Sequence, residues 1–223
     1  MNHMRVGIQD QLLSFEEIDK FEYLICLDSE WTCWENSLEN RWSDPEYPPE
    51  AIQIGLAIYD LSQGRILDEF VSYVSPTINP ILSDYCKNLL LITQEIVDQA
   101  RRFPEVSNDI SVLLKNYSPS RGFICSFGSD WEKIAANALR CSVNDPLVSF
   151  QKLDLYPELS GILEHGNDSK SREVVWEILG LPEMPNRHDA LADAHDVKRI
   201  LDAAREYCKD FISGSADHQP LRK

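Results

Sequence analysis

Apolar runs of strand length alternate with polar turns along the chain. These runs predict strands at 23–27, 51–60, 66–74, 122–127 and 152–155. The short polar connection at 62–65 predicts that the second and third strands form an antiparallel hairpin. The polar, proline-bearing stretch 34–50 predicts a long loop between the first two strands.

Apolar residues spaced three and four positions apart predict helices around these strands. The predicted helices lie at 83–91, 93–100, 104–117, 130–139, 172–179 and 189–207, with a helical turn within 15–20. The chain order is three strands, helices, a strand, a helix, a strand and more helices. This order predicts an α/β domain with a mixed five-stranded sheet flanked by helices.

A chain of 223 residues suits one domain with a sizeable core. We predict a lead-in at 1–20, a folded domain at 21–208 and a flexible tail at 209–223. The N-terminus has no basic segment followed by an apolar stretch, so we expect no signal peptide. No apolar run approaches the length of a membrane span, so we expect no membrane association.

Cysteine usage and net charge narrow the class of protein. The six cysteines form no CxxC pair, which favours free thiols in a reducing cytosol over disulfides or a zinc site. The net charge of −16 argues against a broad nucleic-acid-binding surface. Acidity does not exclude a nucleic-acid enzyme, because bound metal ions invert the local field.

Two acids, Asp28 and Glu30, follow the first apolar run. Side chains alternate along a strand, so both carboxylates point to the same side. Carboxylates side by side at the end of a buried strand repel each other and are costly to desolvate. A divalent cation between them would offset both costs, and oxygen ligands suit Mg²⁺ or Mn²⁺. The alternative is a strand that ends there with both acids solvated.

Further candidate ligands lie near the starts of two predicted helices. Asp130 comes just after the fourth strand, Asp193 lies one turn into the last helix, and His188 lies in the loop before it. Each has an ordinary explanation, since an acid at a helix start is commonly a cap and a loop histidine is commonly solvated. Glu132 is a rival to Asp130, which we prefer because its spacing to Ile134 lets it face the strand end.

Together these residues resemble the three motifs of the DEDDh family of 3′→5′ exonucleases, which includes ribonuclease T and the epsilon subunit of DNA polymerase III. The motifs are similar to residues 28–30 (DSE), 126–130 (SFGSD) and 188–193 (HDALAD). The stretches 30–35 (EWTCWE) and 92–100 (ITQEIVDQA) look like the Eri/KapD branch of that family. The resemblance extends over most of the chain.

The resemblance implies a ribonuclease-H-like fold with its active site at the strand ends. Four acids would hold two Mg²⁺ or Mn²⁺ ions, namely Asp28, Glu30, Asp130 and Asp193. His188 would take the proton from the attacking water. The implied activity releases nucleoside 5′-monophosphates from single-stranded or short 3′ ends, with RNA slightly favoured over DNA. The alternatives are a DNA proofreading or processing exonuclease, or a non-catalytic module that binds nucleic acid or protein.

Residues beside the motifs are candidates for substrate contacts. Trp31 and Trp34 could stack on the last bases, with packing in the core or loop as the alternative. Thr32 belongs to the first motif, and Arg187 could meet a phosphate or be solvated. Two features depart from the family pattern, because Trp31 replaces a small residue and Leu90-Leu91 replace the usual Thr-Gly. A protein partner could supply the positive surface that this acidic chain lacks.

Overall fold

The fold is organised on one mixed β-sheet. The computed structural model describes residues 12–213 apart from 38, 41, 163–171 and 186. Its strands are β1 (Tyr23–Trp31), β2 (Ala51–Asp60), β3 (Ile66–Ser75), β4 (Arg101–Arg102), β5 (Gly122–Ser126) and β6 (Gln151–Asp154). They lie in the order β4-β3-β2-β1-β5-β6. β2 is antiparallel to both β1 and β3, whereas β5 runs parallel to β1 and β6.

The prediction of an α/β domain with a mixed sheet is confirmed, and so is the hairpin of β2 and β3. The predicted count of five strands is wrong, because the described residues form six. The strand that was missed, β4, is only the exposed pair Arg101–Arg102, which lies beside Val74 and Ser75. Two charged residues carry no apolar pattern, so pairing with β3 alone defines this strand.

Helices account for most of the remaining described chain. A short 3₁₀ helix (Ile18–Lys20) precedes β1. The α-helices among the described residues are α1 (Asp84–Leu90), α2 (Gln94–Asp98), α3 (Phe103–Leu114), α4 (Asp130–Arg140), α5 (Leu155–Ile162), α6 (Arg172–Leu179) and α7 (Ala190–Ser213). Within the described ranges, no helix combines the length and apolar composition needed to cross a bilayer.

Two helices differ from the sequence prediction. Helix α5 was not predicted, because Pro157 and Gly161 are poor helix residues. Helix α7 passes its predicted end at Tyr207 and reaches Ser213, so the first part of the expected tail is helical. The rest of the tail, and the first eleven residues of the lead-in, lie outside the described residues.

Hydrophobic layers lie on opposite faces of the sheet, and β1 contributes to both. Leu24 and Cys26 pack with α5, α6 and α7, whereas Ile25 and Leu27 pack with α3 and α4. This alternation is the period of two that a strand imposes. All nine residues of β1 are buried, so the strand carries its two acids into the interior.

The start of α7 approaches β2 so closely that only a glycine fits between them. A Cβ atom on Gly55 would lie 2.3 Å from the carbonyl carbon of Ala190 and 2.5 Å from the amide nitrogen of Leu191. Gly55 is also the residue of β2 that pairs with Asp28 on β1. The missing side chain therefore lets α7 begin directly beside the acidic end of β1.

We predict that Gly55→Ala destabilises the fold, because the new methyl group would overlap backbone atoms of α7 that cannot rotate away. The expected loss in the free energy of unfolding is about 1–3 kcal/mol, measured by urea denaturation. Hydrogen exchange should also become faster at the amides of Leu191 and Ala192, in the first turn of α7.

The matched control is Gly122→Ala, at the other end of β1. A Cβ atom there would meet the ring of Tyr23 at 2.1 Å, which is a side-chain contact rather than a backbone contact. This variant should also lose stability, but exchange at the start of α7 should stay at the wild-type rate. Equal acceleration of that exchange in both variants would contradict the role of Gly55 in seating α7.

Candidate active site

The two acids of β1 lie side by side in the interior. Asp28 and Glu30 are 6% and 7% exposed, and they share one face of the strand because they are two residues apart. Their partners on β2 are Gly55 and Gln53. These β2 residues make room for α7 and bind it, so the strand register places the start of that helix beside both acids.

Hydrogen bonds fix the start of α7 at this position. The side-chain oxygen of Gln53 accepts a hydrogen bond from the N–H of Ala190 at 3.1 Å. The carboxylate of Asp189 caps the helix by accepting from the N–H groups of Leu191 and Ala192 at 3.1 and 3.0 Å. Asp193, in the first turn, is thereby held against the end of β1, where it is 7% exposed.

His188 occupies a tight turn just before α7. Its φ angle of 64° lies in the left-handed region, which is uncommon for a residue other than glycine. Its N–H donates to Oδ2 of Asp193 at 3.1 Å, so the turn is tied to the acid that follows it. Burial lowers the pKa of His188, the charge of Arg187 lowers it further, and Asp193 opposes the change. The neutral imidazole is therefore favoured at neutral pH.

Asp130 reaches the same region from the end of β5. The chain turns between β5 and α4 at Gly128, whose φ of 100° suits a glycine. The N–H of Gly128 donates to Oδ1 of Asp154 at 2.9 Å, which ties the turn to β6. α4 then begins at Asp130, which is 8% exposed, whereas its rival Glu132 is exposed to solvent. This geometry favours Asp130 over Glu132 as a site residue.

The predicted catalytic residues converge on one cavity of about 270 Å³. Ten residues line it, namely Asp28, Ser29, Glu30, Phe127, Asp130, Arg172, Glu173, Arg187, His188 and Asp193. Donor atoms of Glu30, His188 and Asp193 lie within 4.8 Å of one another. Three sequence motifs from different elements therefore meet at a single site, as their order along the chain predicts.

Burial among like charges moves the carboxyl groups toward their neutral forms. Burial raises the pKa of Asp28 to about 8, with Arg172 opposing the rise and Asp130 and Asp193 adding to it. Burial also raises the pKa of Glu30 well above its ordinary value, and its neighbours Asp28, Asp193 and Asp130 raise it further. The pKa of Asp193 is raised as well, chiefly by burial. Since ionised acids are unfavourable in this cavity, cations that balance their charge would stabilise the site.

Two basic side chains that the sequence analysis did not select contact these acids. Arg172 donates a hydrogen bond through Nη2 to Oδ1 of Asp28, and its Nη1 forms an ion pair with Oδ1 of Asp193 at 3.1 Å. Nζ of Lys133 lies 3.2 Å from Oδ1 of Asp130. The spacing of three between Asp130 and Lys133 on a helix could have indicated that pair. No local pattern marks Arg172, because its contacts depend on how α6 packs against the rest of the fold.

The predicted substrate contacts of the first motif are placed inside the protein. Trp31 is 5% exposed in the layer that includes α3 and α4, with Nζ of Lys133 at 5.3 Å from the centroid of its ring. The hydroxyl of Thr32 accepts from the N–H of Glu50 at 3.0 Å and donates to the carbonyl of Pro48 at 3.4 Å. These positions favour the packing alternative for Trp31, and the contacts of both residues with substrate stay predictions.

The other two predicted substrate contacts lie in different surroundings. The half-buried Trp34 packs its ring 4.6 Å from the ring of Tyr47, and it is not among the residues that line the cavity. Arg187 does line the cavity, where it forms an ion pair with Glu173 and lies 5.8 Å from the centroid of Trp176. Of the four substrate residues predicted from sequence, the cavity brings in Arg187.

The donor set fits a hard divalent cation. Carboxylate oxygens are the ligands that Mg²⁺ and Mn²⁺ prefer. The guanidinium of Arg172 bridges Asp28 and Asp193, so these two acids already gather a cation between them. Raised carboxyl pKa values and a bridging guanidinium both indicate that the site requires positive charge.

Solved structures of exonucleases share this architecture. A full-length 3′-exonuclease matches with a TM-score of 0.73 at 25% identity, over 84% of each chain. The nuclease domain of 3′hExo, a DEDDh family member bound to rAMP, matches with a TM-score of 0.70 at 24% identity, over 85% of this chain and 93% of that one. The ribonuclease-H-like fold that the motifs implied is thereby confirmed.

The motifs, the fold and the acidic cavity define a domain of the DEDDh exonuclease class. Residues 25–201 match the family described as Exonuclease (RNase_T), which is more than half of the chain. The chain therefore belongs to this exonuclease family, and the resemblance noted from the three motifs is confirmed.

Relatives of this chain include 3′-5′ exonucleases of yeast and human. The 3′-5′ exonuclease eri1 of Schizosaccharomyces pombe is 40% identical over 99 residues, which are 43% of this chain and 30% of that protein. Human 3′-5′ exoribonuclease 1 is 24% identical over 185 residues, which are 81% of this chain and 51% of that protein. The chain thus spans about a third to a half of the length of these curated relatives.

We predict that the metal-free domain loses stability as the pH rises from about 4 toward 8. Burial raises the pKa of Asp28 in the folded state to about 8 although Arg172 opposes the rise, whereas its ordinary value in an unfolded chain is 3.8. Between these values the folded state holds more protons than the unfolded state, so the free energy of unfolding falls with rising pH. Urea denaturation in the presence of a chelator, at a series of pH values, would measure this fall.

The isosteric variant Asp28→Asn removes this titration while keeping the shape of the side chain, so its pH dependence should be weaker. Glu132→Gln is the control, because Glu132 is exposed on the same helix as Asp130 and should leave the wild-type slope unchanged. If the slope of Asp28→Asn equals that of the wild type, Asp28 is not the source of the pH dependence.

Proposed function

We propose that this domain is a divalent-metal-dependent 3′→5′ exonuclease that hydrolyses the last phosphodiester bond of RNA and releases nucleoside 5′-monophosphates. The observation that carries the proposal is the convergence of Asp28, Glu30, Asp130, His188 and Asp193 on one cavity. The exonuclease family supports the reaction class. The names of the relatives, a 3′-5′ exonuclease and a 3′-5′ exoribonuclease, support the direction and the RNA preference.

In this proposal the four acids hold two Mg²⁺ or Mn²⁺ ions. Bound divalent ions supply Lewis-acid stabilisation of the charge that develops on the scissile phosphate. The protein contributes a rigid frame, because Asp28 and Glu30 lie on the central strand and Asp193 on a helix that is capped against β2. Such fixed positions lower the cost of reorganising charges during the reaction.

His188 is the proposed general base. Its lowered pKa keeps the imidazole neutral and able to accept the proton of an attacking water. The backbone bond to Asp193 orients the residue toward the cavity wall that it shares with Glu30. The competing role is a metal ligand, since a donor atom of His188 lies within 4.8 Å of donor atoms of both acids.

A neighbouring cavity of about 420 Å³ is the proposed site for the terminal nucleotide. It is lined by Leu91, Glu183, Met184, Pro185, Arg187 and His188, so Arg187 and His188 face both cavities. Leu91 is highly exposed and has a left-handed φ of 55°, at the position where the Eri branch usually has glycine. Its apolar side chain is a surface on which a base could pack.

The acidic chain restricts how much of the substrate the domain holds by itself. With 21 Lys and Arg against 37 Asp and Glu, few phosphates can be matched by basic side chains. We therefore propose a short footprint at the 3′ end of a single strand, with a protein partner as a source of additional positive surface. The cytosolic location remains a prediction from the cysteine content.

The direct test is digestion of matched single-stranded RNA and DNA oligonucleotides, labelled at either end, with Mg²⁺, with Mn²⁺ or with a chelator. A 3′→5′ exonuclease releases labelled 5′-mononucleotide from the 3′-labelled strand at once and shortens the 5′-labelled strand stepwise. Faster digestion of RNA supports the proposed preference, whereas faster digestion of DNA supports the proofreading alternative. Binding without cleavage under all conditions supports the non-catalytic alternative.

We predict that alanine at any of the four acids abolishes turnover while the protein stays folded. Activity should fall by more than about 10³-fold, because a lost ion removes several kcal/mol of transition-state stabilisation. Circular dichroism checks the fold and steady-state digestion checks the rate. Glu132→Ala is the control and should keep near-wild-type activity. An active Asp130→Ala beside an inactive Glu132→Ala would show that the second motif was aligned to the wrong acid.

We predict that kcat/KM rises with pH to a plateau, with an inflection below the ordinary imidazole pKa of about 6.5, because burial and the charge of Arg187 lower the pKa of His188. His188→Ala should lose about 10²–10⁴-fold in kcat. The same variant should still bind Mn²⁺ in a calorimetric titration. Loss of that binding would assign His188 to the ligand set instead of the base.

A further inference from the structure

Arg172 makes two ion pairs with acids of the cavity. Its Nη1 lies 3.1 Å from Oδ1 of Asp193, and its Nη2 contacts Oδ1 of Asp28. These two acids come from different elements, since Asp28 lies on β1 and Asp193 on α7. One planar guanidinium therefore joins the central strand to the last helix through two of the site's acids.

All three side chains are largely removed from solvent. The exposed fraction is 14% for the side chain of Arg172, 8% for Asp28 and 9% for Asp193. Water screens charges poorly at such depth, so the guanidinium interacts strongly with each acid whenever that acid is ionised. Breaking a buried pair by removing one partner leaves an uncompensated charge, which is costly.

A divalent ion held between Asp28 and Asp193 through their Oδ1 atoms would need the oxygens that Arg172 contacts. Oδ1 of Asp28 accepts a hydrogen bond from Nη2 of Arg172, and Oδ1 of Asp193 lies 3.1 Å from Nη1 as an ion pair. Mg²⁺ binds oxygen ligands at about 2.0–2.1 Å and Mn²⁺ uses similar ligands, so such an ion cannot share the space beside these oxygens with the guanidinium. Binding of an ion through these two oxygens therefore competes with the arginine contacts.

Next to the two acids, the guanidinium of Arg172 also contacts an aromatic ring. Its carbon Cζ lies 5.4 Å from the centroid of the Phe127 ring, which also lines the cavity. One turn further along α6, Nε1 of Trp176 donates to Oδ2 of Asp196 at 2.9 Å and fixes this helix to α7. The guanidinium already lies over this ring while it contacts the acids, so it can withdraw from them and keep the ring contact while the helix stays docked.

We infer that Arg172 is the internal counter-cation of the metal-free site, a positioning residue that holds Asp28 and Asp193 together and that divalent ions must displace. The inference rests on the proposed function, because it assumes that the same acids hold the ions. On this inference, the observed free energy of metal binding equals the intrinsic free energy of binding the ions minus the free energy needed to break the contacts of Arg172. Removing Arg172 therefore strengthens metal binding even though it weakens the metal-free fold.

The test is a calorimetric titration of the metal-free full chain with Mn²⁺, for the wild type, Arg172→Gln and Arg172→Lys. Arg172→Gln should bind Mn²⁺ at least about ten-fold more tightly, since no buried pair has to be broken first. Arg172→Lys should lie between the two, because an ammonium ion is a point charge without the bidentate fork. In chelator, Arg172→Gln should melt below the wild type, and Mn²⁺ should raise its Tm by more than it raises that of the wild type.

The matched control is Arg187→Gln, which removes a positive charge from the same cavity wall. Arg187 pairs with Glu173 and not with the two central acids, so the change in Mn²⁺ affinity should stay below about three-fold, as for a partly exposed charge. Comparable tightening in Arg172→Gln and Arg187→Gln would indicate a general charge effect and overturn the inference.

Other outcomes separate the inference from the function on which it rests. If wild-type binding of Mn²⁺ depends on Asp28 and Asp193 but Arg172→Gln binds with unchanged or weaker affinity, the counter-cation role is wrong. In that case a raised KM for RNA would mark Arg172 as a phosphate contact instead. If Asp28→Asn and Asp193→Asn bind Mn²⁺ like the wild type, the proposed metal site itself is wrong. Should Arg172→Gln fail to fold without metal, Arg172→Lys carries the same comparison.

Discussion

Repulsion among buried carboxylates is the constraint on which the rest of this structure depends. Asp28, Glu30, Asp130 and Asp193 all lie below a tenth exposure around one cavity, where each negative charge raises the cost of ionising the next. A flexible scaffold would relieve that cost by moving the acids apart. Here the acids lie on a fully buried strand and on the first turns of two helices, so the repulsion is retained and only protons or cations can relieve it.

The register of β1 against β2 places the start of α7 beside the two acids of β1. Gly55 and Gln53 stand opposite Asp28 and Glu30, and both act on α7 rather than on the acids. Gly55 leaves the space for the helix, and Gln53 binds the N–H of Ala190 at 3.1 Å. A shift of the hairpin by one residue would point both side chains to the other face of the sheet. The position of the last helix, and of the acid that it carries, is therefore encoded on β2, the strand that pairs with β1.

Local periodicity was enough to predict the acids and most of the elements that carry them. A continuous apolar run indicated β1, the alternation of side chains along a strand indicated the shared face of Asp28 and Glu30, and the apolar stripe of α7 indicated the place of Asp193. Periodicity does not show which elements cover a face of the sheet. The sequence therefore left open a stacking role for Trp31, whereas in the structure this residue is 5% exposed and packs in the layer of α3 and α4. Arg172 was beyond prediction, since its two partners are distant in sequence and meet only through the packing of α6.

The negative charge of the chain and of the cavity affects how a nucleic acid can approach the site. A nucleic acid strand is negative, the chain carries a net charge of −16, and the cavity adds four acids at the point where a phosphate must enter. In the proposed mechanism the phosphate meets a favourable field only after the acids are neutralised, so metal binding precedes productive substrate binding. Arg172 cannot replace the ions in this respect, because its single charge is already divided between Asp28 and Asp193. The metal-free form is thus stabilised locally and remains repulsive to its substrate.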